Sequence, residues 1–531
     1  MESITEIEEL RLALQEGLDA GKSATERNRM GQFATPTRLA LDILRYARAQ
    51  LAEREQIRFI DPAIGTGSFY SALLDVFPKS RIGAAVGFEI DPHYGKPAAR
   101  LWRSTGLDIH LDDFTQAKVS PESQRFNLMI CNPPYVRHHH IANEDKQRLR
   151  ASTLEACDVK INGLAGLYCY FLGLSHAWMA DGGLAGWLIP SEFMDVNYGV
   201  SVKRYLLDKV KLMHIHRFDP NNVQFGDALV SSIVAWFRKE SPKAGHKVRF
   251  TYGGSLAQPK FERSVSAEIL RSDPKWTGYP MKRRFKAVDA PVLSDFFRIK
   301  RGLATGDNSY FILPAEKIEQ RELPFEAFRP ILPSPRHLPE DEVTADETGN
   351  PLADQRLFLL DCPLEETQIR RKYPALWAYL EEGKAQGTAD RYICRHRTPW
   401  YRQEHRPPAP FVCTYFGRSD KKSGRPFRFI LNNSRATAAN VYLMLYPREP
   451  IASALAERPS LKRQIWAHLN EIRPRTMLDE GRVYGGGLHK LEPKELGNVP
   501  AKAIADLLPK SANLILARSR QKSRPLFPGS W

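Results

Sequence analysis

Between Arg58 and Lys239 short apolar runs alternate with helical patterns, and this alternation constrains the fold more than any other feature. The runs RFIDPA (58–63), AAVGFEI (84–90), FNLMICN (126–132), AGWLIPS (185–191), KLMHIHRF (211–218) and SSIVAWFR (231–238) are predicted strands. Helices are predicted between them, over Ser68–Phe77 and Leu164–Met179 among others. Strand, helix, strand in repetition builds a mainly parallel sheet covered on both faces, so the class is α/β with a Rossmann-like domain. The first thirty residues read as an amphipathic helix (Leu10, Leu12, Leu14, Leu18) followed by a polar stretch. After about Pro291 the text turns rich in proline, arginine and aromatics with no clean period, which predicts an α+β domain. The expected division is 1–245, a connector at 246–290, and 291–531; no internal repeat is visible.

Charge divides along the same line. Residues 1–250 carry 31 basic and 29 acidic side chains, a net of +2, and the remainder of the 531 carry 46 and 32, a net of +14. A near-neutral half beside a basic half suggests one part for chemistry and one for a polyanion. No run of about eighteen apolar residues occurs, so no membrane span is expected. The N-terminal MESITEIEEL is acidic where a signal peptide would be basic. Six cysteines stand singly, which predicts reduced thiols, a cytoplasmic setting and no zinc site.

Four segments carry chemistry. In FIDPAIGTGSF (Phe59–Phe69) a strand ends at Asp61, and a loop containing Ala63, Gly65 and Gly67 leads into a helix. Glycines let a ligand approach the backbone, at the carboxyl end of the first strand of an open sheet. In GFEIDP (87–92) the next strand ends on Glu89, placed to accept both hydroxyls of a ribose, with Ile90 beside it. In HLDDF (110–114) Asp113 is placed to accept an exocyclic amine while Phe114 packs on a purine ring. Together these outline an adenosine pocket. The fourth, Asn132-Pro133-Pro134-Tyr135, closes an apolar strand with a rigid turn, because two prolines cannot continue a sheet. The Asn132 oxygen and the Pro133 carbonyl then become two fixed acceptors with the Tyr135 ring beside them. That arrangement suits an exocyclic aromatic amine, whose delocalised lone pair is freed when its N–H groups are held.

These segments resemble the motifs of S-adenosylmethionine-dependent N6-adenine DNA methyltransferases of restriction–modification systems, in the gamma, TaqI-like order. The resemblance implies that GQFATP (31–36), with Phe33, Thr35 and Pro36, closes over the methionine part of the cofactor. It also implies that VQFGDALVSSIV (223–234) supplies Phe225 to stack on a flipped adenine. AGLYCYF (165–171), DGGLAGWLIP (181–190) and NYGVSVKRYLL (197–207) are similar to later motifs. RIKRGLATGDNSYFIL (298–313) and YGGGLHKLEPKELGNVP (484–500) resemble parts of the C-terminal specificity domain. The loop AIGTG carries Ile64 and Thr66 where the family more often has Cys and Ser. Double-stranded DNA is the implied partner, a separate restriction endonuclease a conceivable one, and a monomer is expected.

His138, His139 and His140 follow the turn, but three consecutive histidines cannot easily face one ion, so no metal site is predicted. They start a basic stretch to about Gly163 (Lys146, Arg148, Arg150, Lys160), expected to be a loop that orders on DNA. Eleven basic residues between Arg391 and Arg435, interleaved with Trp400, Tyr401, Tyr415, Phe416, Phe427 and Phe429, are the expected DNA face. Two rival activities share the chemistry: methylation of cytosine N4, and of a protein glutamine amide. The second leaves the +14 unexplained, and no segment is long enough for a fused nuclease.

Overall fold

The computed structural model describes residues 4–119, 121–219, 231–281, 290–418, 424–484 and 488–508. Two compact units divide the chain, Met1–Phe285 with Tyr484–Gly486, and Lys286–Val483 with Gly487–Trp531. The first opens with helices α1 (Ile4–Ala20), α2 (Ala24–Met30) and α3 (Thr37–Gln50). There follow β1 (Ile57–Asp61), α4 (Ser68–Val76), β2 (Ile82–Phe88), α5 (Pro92–Leu101), β3 (Leu107–His110) and β4 (Phe126–Cys131). Then come α6 (Asn143–Cys157), α7 (Leu167–Leu174), β5 (Met179–Pro190), α8 (Gly199–Arg204), β6 (Lys211–Arg217), β7 (Ser232–Arg238), β8 (Lys247–Gly254) and β9 (Pro259–Ser266).

All nine strands form one sheet in the order β3-β2-β1-β4-β5-β7-β6-β8-β9. Strands β3 to β5 of that order run parallel, β7 is antiparallel to both its neighbours, and β9 is antiparallel to β8. This is the mainly parallel α/β sheet expected of a methyltransferase. The central strands read as unbroken apolar runs because both faces are covered. In β4, Leu128 and Ile130 pack with Leu44 of α3 and Leu73 of α4, while Met129 and Cys131 pack with Leu149 of α6 and Phe171 of α7. Chain order reverses between β1 and β4, and their carboxyl ends open a crevice there.

Two sequence expectations change. The segment read as a connector holds β8 and β9, whose Val248, Phe250 and Val265 are buried with Trp276 in the sheet core. Its Gly-rich text is a hairpin turn, with Gly253 and Gly254 at φ +63° and +72°, not a domain boundary. The basic stretch after the turn is not a loop throughout either, since Asn143–Cys157 is helical. Leu149, Thr153 and Cys157, four residues apart, make its buried stripe, and Glu144 and Asp145 sit in its first turn.

The second unit is α+β. A five-stranded sheet runs 297–301, 442–447, 411–414, 429–432, 342–343, and a three-stranded one is flanked by helices Glu366–Lys372 and Pro374–Ala385. The aromatics read as a DNA face are mostly its interior: Tyr415, Phe427 and Phe429 are buried in one cluster, Trp400 and Tyr401 in another. Several interleaved arginines are likewise structural. Arg428 donates to the Leu338 carbonyl at 2.8 Å and to Asp341 at 2.7 Å. Arg397 donates to the carbonyls of Ala304 and Thr305 at 2.7 and 2.9 Å. Segments rich in Arg and aromatics look alike in sequence whether the guanidinium holds a carbonyl or a phosphate.

Candidate active site

A cleft of about 400 Å3 lies at the carboxyl ends of β1, β2 and β4. Its lining includes Phe33, Ala63, Gly65, Glu89, Ile90, Asp113, Phe114, Asn132 and Pro134, nine of the residues singled out in the sequence. The segments thus converge although they lie up to a hundred residues apart. Thr35, Pro36, Asp61, Gly67, Pro133 and Tyr135 stand around the cleft without lining it, and Phe225 lies outside the described residues.

The glycine loop is shaped by positive φ. Gly65 sits at +56° and Gly67 at +92°, and a Cβ on Gly67 would lie 2.4 Å from Nε1 of Trp102. No side chain fits there. Glu89 accepts hydrogen bonds from the amides of Gly65 (3.1 Å) and Asp91 (2.8 Å), which lock its carboxylate over the loop. Burial pushes Glu89 up to about 7. Burial also pushes Asp61, which receives the Ala63 amide at 3.1 Å, up to about 8, with the nearby charge of Glu89 adding to the effect. Asp113 receives the amide and hydroxyl of Thr115, both at 2.8 Å, so its carboxylate orders the turn that presents Phe114. Phe114 is buried against Phe88, Phe171 and Trp178.

Asn132 is the most informative residue. Its Nδ2 donates to the Phe33 carbonyl at 2.9 Å and to Thr35 Oγ1 at 3.1 Å, fixing the amide's orientation. Its Oδ1 is buried with no hydrogen-bond partner. An orphaned acceptor costs on the order of 1–3 kcal/mol, and this one belongs to a residue that lines the cleft. Pro133 is buried at the turn. Tyr135 donates from its hydroxyl to the Leu188 carbonyl (3.0 Å), and its ring packs 5.8 Å from that of Phe33. The 31–36 segment is held against the turn by the Tyr135 amide, which donates to the Gly31 carbonyl at 3.3 Å. Gly31 is required there: it has φ +67°, and a Cβ would sit 2.3 Å from the Tyr135 nitrogen.

Sequence reading missed the N-terminal closure. Gln15 and Asp19 of α1 line the cleft, and Gln15 accepts from Thr66 Oγ1 at 2.6 Å. Lys22 and Gln32 both reach Asp91, tying the segment after α1 to the start of α5. Arg148 and Leu149 of α6 form another wall. Asp91 directly before Pro92 was a legible signal, since that pair marks a helix start; nothing in the sequence pointed to its partners. The cleft fits an adenosine-bearing cofactor: an acid follows β2, Ile90 stands 60% exposed at the wall, and Asn132 lines the same cleft.

The chain is similar to known proteins over most of its length. The family described as "Type II methyltransferase M.Eco57I, C-terminal domain" matches residues 282–524, and the Eco57I restriction-modification methylase family matches residues 99–224. The type II methyltransferase M.XamI of Xanthomonas campestris pv. amaranthicola is 28% identical over 90% of this chain and 86% of its own. M.AccI of Acinetobacter calcoaceticus is 26% identical over 89% and 85%. The fold is similar to that of the type IIL restriction-modification enzyme MmeI, solved in complex with DNA, with a TM-score of 0.53 and 14% identity over 96% of this chain and 73% of that one. Two family matches on different parts of the chain, and two relatives that span nearly all of it, make this chain similar to the type II restriction–modification methyltransferases, and its cofactor is S-adenosylmethionine.

Proposed function

We propose that the chain methylates N6 of an adenine flipped out of duplex DNA. The observation that carries this reading is the buried, unpartnered Oδ1 of Asn132. S-adenosylmethionine, when bound, supplies an electrophilic methyl group. The chain's part is to hold the acceptor. Asn132 Oδ1 receives an N–H of the exocyclic amine, favouring a tetrahedral nitrogen whose lone pair is free to attack. The Phe33 carbonyl keeps that oxygen aimed, because a rotated amide would set two acceptors against each other there. Glu89, Asp113 and Phe114 take the roles of ribose acceptor, acceptor of the exocyclic amine and ring contact for the adenosine. Flipping is required because a stacked adenine cannot bring N6 to a cleft at strand ends. Asn before Pro-Pro-Tyr supports adenine over cytosine by resemblance to the gamma group. The basic second unit is assigned to site recognition, and the chain to the modification half of a restriction–modification pair.

Incubation of the full chain with plasmid DNA and methyl-labelled S-adenosylmethionine tests the reading. Label in DNA is expected; label in protein instead would contradict it.

A further inference from the structure

A second cavity, of about 340 Å3, lies on the same unit and is lined by Arg150 of α6, Lys160, Asn162, Asn197, and Ser201 and Arg204 of α8 among others. No carboxylate lines it. Among the described residues none of Arg150, Lys160 and Arg204 forms an ion pair; Arg204 acts on Asp158 only at a distance, and that carboxylate is held by Lys209. Arg150 Nε is buried without a partner. Asn162 spends its oxygen on the Leu164 amide at 2.8 Å, leaving its NH2 as a donor. Three cations without an ion-pair partner around one concavity repel each other, and an anion received there relieves that repulsion.

Its position says which anion. The segment that leaves this cavity, 163–167, is tied to the catalytic turn, because the Leu167 amide donates to the carbonyl of Val136 at 2.9 Å. Helix α6 separates the two cavities. Arg148 and Leu149 face the first, and Arg150, turned about 200° from Arg148 around the helix, faces the second. The cavity is thus linked to the catalytic turn through segment 163–167. We propose that this cavity grips a backbone phosphate of the DNA flanking the flipped nucleotide. The inference rests on duplex DNA being the substrate.

Binding of a fluorescent duplex to the full chain, measured by anisotropy across a salt series, tests it in the wild type, in K160Q/R204Q and in R150Q. The double variant changes two exposed side chains, so folding is not at stake even where R150Q disturbs α6. Loss of one phosphate contact is expected to lower the slope of log K against log salt by about 0.9, equally for unrelated duplexes. S-adenosylmethionine affinity is expected to stay unchanged. Unaltered slopes in both variants would overturn the proposal. So would inorganic phosphate that binds the wild type, not the variants, while DNA slopes stay equal, for that is a free-anion site. A wild type that binds no duplex at all would instead remove the DNA reading on which the proposal stands.

Discussion

Asn132 divides its amide between two jobs, with the nitrogen anchored on Phe33 and Thr35 and the oxygen left for a ligand. Truncation to alanine removes an interaction made with the target amine, so Asn132→Ala is expected to lower kcat by about 10² to 10³ while cofactor affinity stays within several-fold. Near-normal turnover would remove Asn132 from the chemistry. Glu89 carries the complementary prediction. Its carboxyl is raised from 4.5 to about 7 by burial, so at mildly acid pH it is protonated and loses an acceptor. Cofactor affinity is therefore expected to rise between about pH 6 and pH 8, and Glu89→Gln to flatten that profile and weaken binding about tenfold at the upper end. Calorimetric titration over that range decides it. The sign for stability is opposite: the folded state keeps this proton after the unfolded chain has lost it. The contribution is thus complete below 4.5 and lost as pH rises towards about 7. The main chemistry-bearing residues were legible in the sequence because each ends a strand at a fixed place in chain order. The role of Tyr135 was less so, since only the structure shows its hydroxyl on Leu188 of β5.

At the scale of elements, the closing segment 31–36 depends on one glycine. Gly31→Ala forces a Cβ to 2.3 Å from the Tyr135 nitrogen in a left-handed backbone, so segment and turn must part. Activity is expected to fall at least tenfold, the order of a misplaced substrate, with the unfolding midpoint little changed, since Gly31 lies outside the sheet core. A fully active variant would show that the contact is dispensable. Strand β6 holds a different liability. His214 and His216 both bond Thr251 Oγ1, at 2.6 and 2.8 Å, and burial depresses both, His216 to about 4. The unfolded chain takes up these protons near 6.5 and the folded one does not. Stability present above 6.5 is thus lost as pH falls towards 4. Thermal unfolding followed across that interval should show the wild-type midpoint falling relative to that of His216→Gln, because the opposite contributions of Glu89 and Asp61 are common to both. Periodicity announced the strands but not these pairings. A histidine at an inward position of β6 reads as any core residue until its partner on β8 is known.

For the whole molecule, the boundary matters most. Gly-rich text at 241–258 resembled a linker, yet β8 and β9 complete the first sheet, and the unit closes at Phe285. A fragment ending at Gly245 discards Val248, Phe250, Val265 and Trp276 from the core and bares β6, so it is expected to aggregate. One ending at Phe285 is expected to stay soluble and bind cofactor, as light scattering and titration would show. A soluble, cofactor-binding 1–245 fragment would contradict the nine-stranded unit. Of the basic residues singled out for DNA, Arg397 and Arg428 serve their own unit's backbone instead.

The central claim is the identity of the methylated atom. DNA treated with the full chain and methyl-labelled S-adenosylmethionine, then digested to nucleosides and separated, reads it directly. The account predicts label in N6-methyladenine. Label in N4-methylcytosine would contradict the assignment of the target base.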